Sequence, residues 1–400
     1  MKRLTFVFFD AGGGHRSAAT ALQLAIREKQ IPWNVELMNL QEILDSLDIL
    51  RKFTGIRIQD FYNSMLKSGW TLGSTQLMRV LQAVIRLYHK PMVRRLEEYW
   101  RKSAPDMVVS FIPHFNRALW QSFRNVFPNR PFVTILTDIA DYPPHFWIER
   151  QPQFLICGSD RAVAQAIALG HPREHIFQAS GMILHPRFYA AQPADRAAER
   201  KRLGLLPDVP TGLVLFGGQG SRAMLEIIAR LDQSDLDLQL ILICGKNAKL
   251  ADALRRRKSR IRYYVEGFTA AVPYYMHLSD FFIGKPGPGS LSEALAKELP
   301  VITVCNSWTL PQERYNARWI VERKVGISLR SFRQIVPAVE KLLQPQEFAR
   351  YRENARLNPN RAIVEIPVFL QEMFQKGDRR AVENSERFAP KTLTATTEHH

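Results

Sequence analysis

The sequence contains few cysteines and no long apolar run. Its three cysteines, Cys157, Cys244 and Cys305, are far apart, and each ends a short apolar segment. Zinc sites need closely spaced ligand pairs, and disulfide frameworks are typical of short secreted chains with an even cysteine count. We therefore expect free thiols at strand ends, no metal site and no cofactor held by the protein.

No stretch approaches the roughly 18–20 consecutive apolar residues of a membrane-spanning helix. The apolar part of the opening segment stops at Asp10, which is too short for the core of a signal peptide. We therefore expect a cytoplasmic protein.

One acidic pair imitates a metal signature. Asp235 and Asp237 form a D-x-D sequence directly before the apolar run LQLILIC, at the amino end of a predicted strand. Ligands of open α/β sheets bind at the carboxyl ends of the strands. We interpret this pair as part of a solvated loop.

The charge balance is strongly positive. The 400 residues carry 55 Lys and Arg against 38 Asp and Glu, for a net charge of +17. Residues 51–102 alone hold eleven basic and three acidic side chains. Such an excess favours an anionic partner, which could be nucleic acid, a membrane surface or a phosphorylated substrate. The basic segment has no zinc, RRM or KH signature, which argues against nucleic acid.

Short apolar runs alternate with helical segments along most of the chain. Such an alternation predicts an α/β protein with parallel strands buried on both faces. It pauses at residues 185–210, which are rich in Pro, Ala and charge, and then starts again. We predict two doubly wound, Rossmann-like domains facing a central cleft: residues 1–184 and 211–345, with 185–210 as the linker, C-terminal helices at 346–375 and a flexible tail at 376–400.

The predicted strands in the first series are 4–9, 35–40, 107–112, 132–137 and 154–157, and those in the second are 212–216, 238–244, 262–265, 280–283, 301–305 and 325–329.

A basic helical insert, residues 45–103, interrupts the first series. Apolar residues between Leu77 and Tyr88 follow helical spacing. One interpretation is a surface helix pair with a solvated basic face. The other is an interfacial surface that binds an anionic membrane, supported by Trp70 and Trp100; its basic contacts would be Arg86, Lys90, Arg94 and Arg95.

Two glycine turns each join a strand to a helix. The first, Gly12-Gly13-Gly14, is followed by His15, and the second contains Gly217, Gly218 and Gly220. Glycines let the backbone approach a ligand closely, and a helix N-terminus favours negative charge. A neutral imidazole at such a turn could accept a proton from an attacking hydroxyl. Together the turns predict a cleft with two phosphate-binding walls.

Two further segments carry polar groups. In GKPGPGSLSEA, Ser290 is a plausible N-cap, and Glu293 would either complete a capping box or bind the hydroxyls of a ribose. In PQERYN, three polar residues follow a strand and suit a polyhydroxyl ligand: Gln312, Glu313 and Asn316.

The ordered set GGGH, GGQG, GFT, GKPGPGSLSEA and PQERYN resembles the glycosyltransferase family that contains the monogalactosyldiacylglycerol synthases. Bacterial diacylglycerol glucosyltransferases and the lipid-II-forming N-acetylglucosaminyltransferase are relatives. The resemblance implies a GT-B fold, a UDP-galactose or UDP-glucose donor on the C-terminal domain, a lipid acceptor such as diacylglycerol at the N-terminal domain, and inversion at the anomeric carbon. It also implies work at the inner face of the cell membrane.

The resemblance implies a role for each matching residue. His15, or Asp138 with it, would accept the acceptor's proton. Phe268 matches the position whose backbone faces uracil, and Glu293 matches the ribose carboxylate. The diphosphate turn corresponds to Gly287, Gly289 and Ser290, and the sugar-facing set to Gln312, Glu313 and Asn316. The plant enzymes have a histidine where this chain has Pro143, so we expect a different acceptor geometry.

Three alternatives remain open at this point. The acceptor could be another lipid, such as a prenyl-diphosphate-linked sugar. The protein could be a UDP-sugar epimerase, because that activity also occurs on two-domain nucleotide-sugar folds. It could also bind a ligand without chemistry.

Overall fold

The computed structural model describes residues 1–10, 13–44, 82–83, 85–192 and 194–387, with side chains up to residue 375. Gly12 and most of the predicted basic insert, residues 45–81, lie outside the described residues.

The first half of the chain forms a parallel six-stranded sheet. Its strands are β1 (Lys2–Phe8), β2 (Trp33–Asn39), β3 (Met107–Ser110), β4 (Phe132–Ile135), β5 (Phe154–Cys157) and β6 (Ile176–Gln178). Its described helices are α1 (Gly14–Glu28), α2 (Leu40–Leu44), α3 (His89–Ser103), α4 (Asn116–Val126) and α5 (Asp160–Ala168). The spatial order is β2-β1-β3-β4-β5-β6.

The second half repeats this architecture. Helix α6 (Arg196–Arg202) precedes the strands β7 (Thr211–Leu215), β8 (Gln239–Ile243), β9 (Arg262–Glu266), β10 (Phe281–Gly284), β11 (Val301–Val304) and β12 (Gly326–Leu329). The helices between and after them are α7 (Ala223–Asp232), α8 (Ala248–Arg256), α9 (Val272–His277), α10 (Pro288–Ala296), α11 (Pro311–Glu322), α12 (Ile335–Leu343), α13 (Pro345–Arg356) and α14 (Ala362–Arg387). The order is β12-β11-β10-β7-β8-β9, again parallel.

The predicted strands are confirmed, and only β6 is missed. Central strands such as β8 bury every residue, because helices cover both faces of each sheet. β6 has three residues, lies at the sheet edge and exposes Gln178. So short a segment carries no readable apolar pattern.

The predicted linker, residues 185–210, contains regular structure. Helix α6 lies within it, and the buried Arg200 donates to Asp280 Oδ2 at 2.7 Å and to the Leu278 carbonyl at 2.9 Å. Arg196 donates to Asp280 Oδ1 at 2.7 Å. These contacts fix α6 to the second sheet, so the chain passes from the first half to the second before α6.

The end of the chain returns to the first half. Helix α14 buries Ala362, Ile366, Leu370 and Met373 in the same apolar core as Leu22 of α1. The backbone of α14 continues to Arg387, so the segment predicted as a flexible tail begins as helix.

Candidate active site

A cleft of about 530 Å³ lies between the two sheets and is lined by loops from both. In each sheet the strand order reverses once, between β1 and β3 and between β7 and β10. Connections on the two sides of such a point run to opposite faces of the sheet, which leaves a crevice at the carboxyl ends. Both crevices open into this one cleft, so the predicted fold class is confirmed.

The first glycine turn lies where it was predicted. Gly13 has a left-handed backbone (φ 82°) and precedes α1 without any side-chain cap. Gly13, Gly14 and His15 line the cleft. The first backbone N–H groups of α1 therefore have no side-chain cap. Uncapped N–H groups at a helix N-terminus can bind an anion.

His15 is held by its neighbours and is neutral at pH 7. Its Nδ1 lies 3.1 Å from Thr137 Oγ1, and its ring packs 5.7 Å from that of Trp147. Burial lowers the pKa of His15 to about 4, which the nearby Phe111 carbonyl only partly offsets. The ring can therefore receive hydrogen bonds, but it is a weak base.

Asp138 is the buried carboxylate beside it. The indole Nε1 of Trp147 donates to Asp138 Oδ2 at 2.9 Å. Burial raises the pKa of Asp138 to about 7, and the negative charge of Glu313 acts in the same direction. A carboxylate with such a pKa is matched to proton transfer at neutral pH.

The loop after Asp138 is held by the buried carboxylate of Asp141. The buried Asp141 accepts from the backbone N–H of Trp147 at 2.6 Å and of His145 at 3.0 Å. His145 is exposed and lines a different cavity. It therefore does not replace a cleft histidine in this structure.

A second histidine of the cleft was not found by sequence reasoning. His114 follows β3, has a left-handed backbone (φ 65°) and lines the cleft. Both of its ring nitrogens are buried without a hydrogen-bond partner in the structure. The only sequence signal was its place after an apolar run, because the residue stands in no glycine turn.

The opposite wall begins with the second glycine turn. Gly217 and Gly218 line the cleft, and Gly217 has a left-handed backbone (φ 73°). Gly220 does not line it. A Cβ at Gly220 would lie 2.4 Å from the Cys244 carbonyl oxygen, so this glycine lets the turn pack against the loop after β8.

The GPGS turn differs in one detail from the prediction. Gly287 is the N-cap of α10, with Pro288 at the first helical position and no side-chain cap. Ser290 therefore lies inside the first turn, and the predicted capping box with Glu293 does not form. Gly287, Gly289 and Ser290 all line the cleft around this uncapped helix N-terminus.

The surroundings of Glu293 favour a role in ligand binding over a role in helix capping. It lines the cleft, and in the described part of the chain its carboxylate has no hydrogen bond. Burial raises the pKa of Glu293 to about 7, while the charge of Arg187 acts weakly against this shift. An unpaired, desolvated carboxylate needs hydrogen-bond donors, and the hydroxyls of a ligand would supply them.

Three polar residues of α11 divide into two groups. Gln312 and Glu313 line the cleft, and Lys285 Nζ donates to Glu313 Oε1 at 2.7 Å. Asn316 is fully buried behind them and donates to the Pro286 carbonyl at 2.8 Å. Asn316 was predicted to contact the UDP-sugar, but it does not line the cleft. It supports the GPGS turn instead.

Phe268 lies at the cleft rim. Its side chain is 66% exposed, and Lys246 Nζ lies 5.1 Å from the ring centroid. Phe268 and Thr269 both line the cleft after β9. An exposed aromatic ring at this rim is suited to contact with a planar base.

The described part of the basic insert is charged outside and apolar inside. Lys90, Arg94 and Arg95 are exposed on α3, and Arg95 pairs with Glu98. The helix buries Trp100, whose Nε1 donates to Ser122 Oγ at 2.9 Å. Trp100 therefore belongs to the core, which corrects its predicted role at a membrane.

Arg86 lines a second cavity of about 830 Å³, together with Arg117 and Arg150. His114 stands where this arginine-lined cavity and the cleft meet, because it lines both. Of the predicted apolar stripe, Ile85 is buried, whereas Leu87, which is not part of the stripe, is 75% exposed. Trp70 and Leu77 lie outside the described residues. Among the helices that the structure describes, none has the length and apolar character to cross a bilayer.

Comparison with known proteins agrees with this geometry. Residues 212–365 match the glycosyltransferase family 28 C-terminal domain. Monogalactosyldiacylglycerol synthase 2 of Arabidopsis thaliana is 26% identical over 89% of this chain and 77% of its own length.

Two solved structures share the fold. MurG of Acinetobacter baumannii superposes with a TM-score of 0.58 at 14% identity, over 93% of this chain and all of its own. Anabaena HepE, solved with UDP and glucose, has a TM-score of 0.53 at 17% identity, over 94% of this chain and all of its own. The second sheet and its helices thus match the glycosyltransferase family 28 C-terminal domain, and the motif-based resemblance of the chain to the monogalactosyldiacylglycerol synthases is confirmed.

Proposed function

We propose that the protein is an inverting glycosyltransferase that moves galactose or glucose from a UDP-sugar to diacylglycerol. The observation that carries this proposal is the unlike pair of walls in one cleft. Both walls present a glycine turn and an uncapped helix N-terminus; the second adds a cation, and the first adds a buried carboxylate of raised pKa beside a neutral imidazole. The similarity to a synthase of a galactolipid supports the choice of a lipid acceptor.

The donor binds to the second half. Glu293 accepts hydrogen bonds from the two ribose hydroxyls, and Phe268 lies beside the uracil. The diphosphate lies against Gly217, Gly218 and the N-terminus of α10, where backbone N–H groups and the helix dipole favour negative charge. The hexose hydroxyls contact Gln312 and Glu313. Lys285, which is 40% exposed and paired with Glu313, adds positive charge where UDP departs.

The chemical step is a single displacement. The acceptor oxygen attacks the anomeric carbon from the face opposite UDP, the bond from that carbon to the diphosphate oxygen breaks, and UDP leaves with the electron pair. Asp138 takes the hydroxyl proton, because its pKa of about 7 makes it the stronger base of the pair. His15 orients the hydroxyl.

The protein works as a peripheral enzyme at the inner face of the cell membrane, where diacylglycerol resides. The exposed basic residues Lys90 and Arg94 and the exposed Leu87 support contact with an anionic surface.

The decisive experiment supplies purified protein with UDP-galactose or UDP-glucose and diacylglycerol in mixed vesicles. We expect a monohexosyl lipid and free UDP in equal amounts. Absence of a glycolipid with both donors would contradict the proposed acceptor. Conversion of the UDP-sugar to an isomer without any acceptor would support the epimerase instead.

A second candidate acceptor is favoured by one observation. The arginines that line the second cavity, Arg86, Arg117 and Arg150, have no salt bridge in the described part of the chain and would suit a phosphate-bearing lipid. A prenyl-diphosphate-linked sugar should then be glycosylated faster than diacylglycerol, and Arg117→Ser should slow that reaction alone.

A further inference from the structure

Both ring nitrogens of His114 are buried and have no hydrogen-bond partner among the residues that the structure describes, although the ring borders the cleft. An imidazole carries a donor, an acceptor or both, and leaving them unpaired in the interior is unfavourable. From this we infer that His114 binds the acceptor lipid, donating a hydrogen bond to an ester carbonyl of diacylglycerol. The inference rests on the proposed function and assigns the residue that selects the acyl ester.

The backbone holds His114 in an uncommon conformation to present this ring. Its φ of 65° lies in the left-handed region, which non-glycine residues occupy rarely. Its backbone N–H donates to the Phe146 carbonyl at 2.8 Å, and the ring stands edge-on to the Phe146 ring, with the centroids 4.3 Å apart. The ring of His114 thus packs against an apolar side chain, and neither of its nitrogens forms a hydrogen bond with a described residue.

The protonation state of His114 fits a neutral donor. Burial lowers the pKa of His114 to about 4, and the neighbouring His15 acts in the same direction. At neutral pH the ring therefore carries one N–H and no charge. A charged site would favour an anionic group, whereas a neutral N–H is matched to an uncharged carbonyl oxygen.

The chemistry of diacylglycerol leaves one kind of partner for this donor. Its hydroxyl proton passes to the base during the reaction, and the remaining polar atoms are ester oxygens, which only accept hydrogen bonds. His15 is already engaged with Thr137, whereas His114 is free. His15 thus contacts the reacting hydroxyl of the acceptor, and His114 contacts its ester carbonyl.

The test compares His114→Phe, His114→Asn and His114→Gln with wild type. Phe keeps a ring against Phe146 and removes both nitrogens, while Asn and Gln place an amide N–H near the positions of Nδ1 and Nε2. We expect Phe to raise the KM for diacylglycerol about tenfold, with the KM for the UDP-sugar unchanged. At least one amide should keep the KM for diacylglycerol within threefold of wild type.

A dialkyl ether analogue of diacylglycerol provides the sharper arm, because it keeps the hydroxyl and lacks the carbonyls. Wild type should show about a tenfold higher KM for the ether than for the ester, and His114→Phe should show no further increase. The matched control is His171→Phe, since His171 is buried, lines neither cavity and has its ring nitrogen 2.9 Å from the Glu149 carbonyl oxygen. It should leave both KM values unchanged.

Several results would overturn the inference. An unchanged KM for the ester in His114→Phe would mean that the ring binds only water. Equal losses with Phe, Asn and Gln would mean that ring shape matters rather than the N–H. A wild type that glycosylates diacylglycerol while His114→Phe does so equally well refutes only this inference, whereas a wild type that makes no glycolipid refutes the proposed function and this inference with it.

Discussion

Each sheet contributes a glycine turn and an uncapped helix N-terminus to the cleft, and the first sheet adds a buried carboxylate beside two imidazoles. Gly217 and Gly287 present backbone, while Asp138 and His114 present groups whose pKa values are shifted by burial. Both walls stand at the same topological position. A glycosyl transfer needs groups that bind an anion and groups that accept a proton. Two six-stranded sheets supply these groups through different loops.

The largest effect should come from Asp138→Asn. It removes the base while keeping a partner for the Trp147 indole, so we expect kcat to fall about 100- to 10,000-fold. Donor affinity, measured by calorimetry with UDP, should stay within twofold. His15→Gln should reduce kcat less, because a ring with a pKa of about 4 is not the base. A larger loss in the His15 variant would reverse this assignment.

The donor wall is tested by Glu293→Gln. Loss of charged hydrogen bonds to the ribose should raise the KM for the UDP-sugar roughly 10- to 100-fold and leave the KM for diacylglycerol unchanged. Ser292→Ala, on the same helix but outside the cleft lining, is the control and should change the donor KM less than threefold. If the main consequence of Glu293→Gln were a lower Tm, the carboxylate would be structural.

The basic surface formed by Arg86 and α3 should bind anionic membranes. Replacing Arg86, Lys90, Arg94 and Arg95 by Ser should weaken sedimentation with phosphatidylglycerol vesicles tenfold or more, since each basic residue at such a surface contributes about 1 kcal/mol. The control removes the same charge from the second half, at Arg255, Arg256, Arg257 and Lys258. If the fourfold variant bound vesicles as well as wild type, these four basic residues would only be solvated and would not contact the membrane.

The pH dependence distinguishes the two candidate bases. With both substrates saturating, kcat should rise about tenfold between pH 6 and pH 8, because Asp138 must be ionised and its pKa is about 7. Were His15 the base, kcat would already be constant above pH 5, given a pKa of about 4.

The smallest effect is on stability. The folded-state pKa of Asp138 lies above its unfolded value, so the folded protein loses stability as pH rises from about 4 to about 7. Asp138→Asn removes this cost. We expect a Tm increase of a few degrees at pH 8 and a smaller one at pH 5, by calorimetry. An equal shift at both pH values would mean that packing, and not charge, is responsible.

The strands and the glycine turns could be predicted because local sequence determines them. Uninterrupted Val, Ile, Leu and Phe runs indicate buried parallel strands, and clustered glycines indicate turns that a ligand can approach. The helix start at Pro288 could not be separated from one at Ser290, because both residues are acceptable near a helix N-terminus.

The remaining site residues depend on tertiary structure. His114 acquires its position from the pairing of β3 with β1, and Arg117 and Arg150 meet Arg86 only when the segments after β3 and β4 fold together. Trp100 was misinterpreted because an apolar residue in a basic segment suits either a core or a bilayer, and only its contact with Ser122 decides.

The return of α14 to the first sheet has a consequence for biosynthesis. A ribosome releases the chain from its amino end, and the apolar core that α1 shares with the first sheet lacks the contribution of α14 until residues 362–374 have emerged. The second sheet, in contrast, is complete once β12 and its neighbouring helices are out. The later-made half is thus able to finish folding first, while the earlier-made half waits with exposed apolar surface, and a chain cut short before Ala362 should be captured by chaperones.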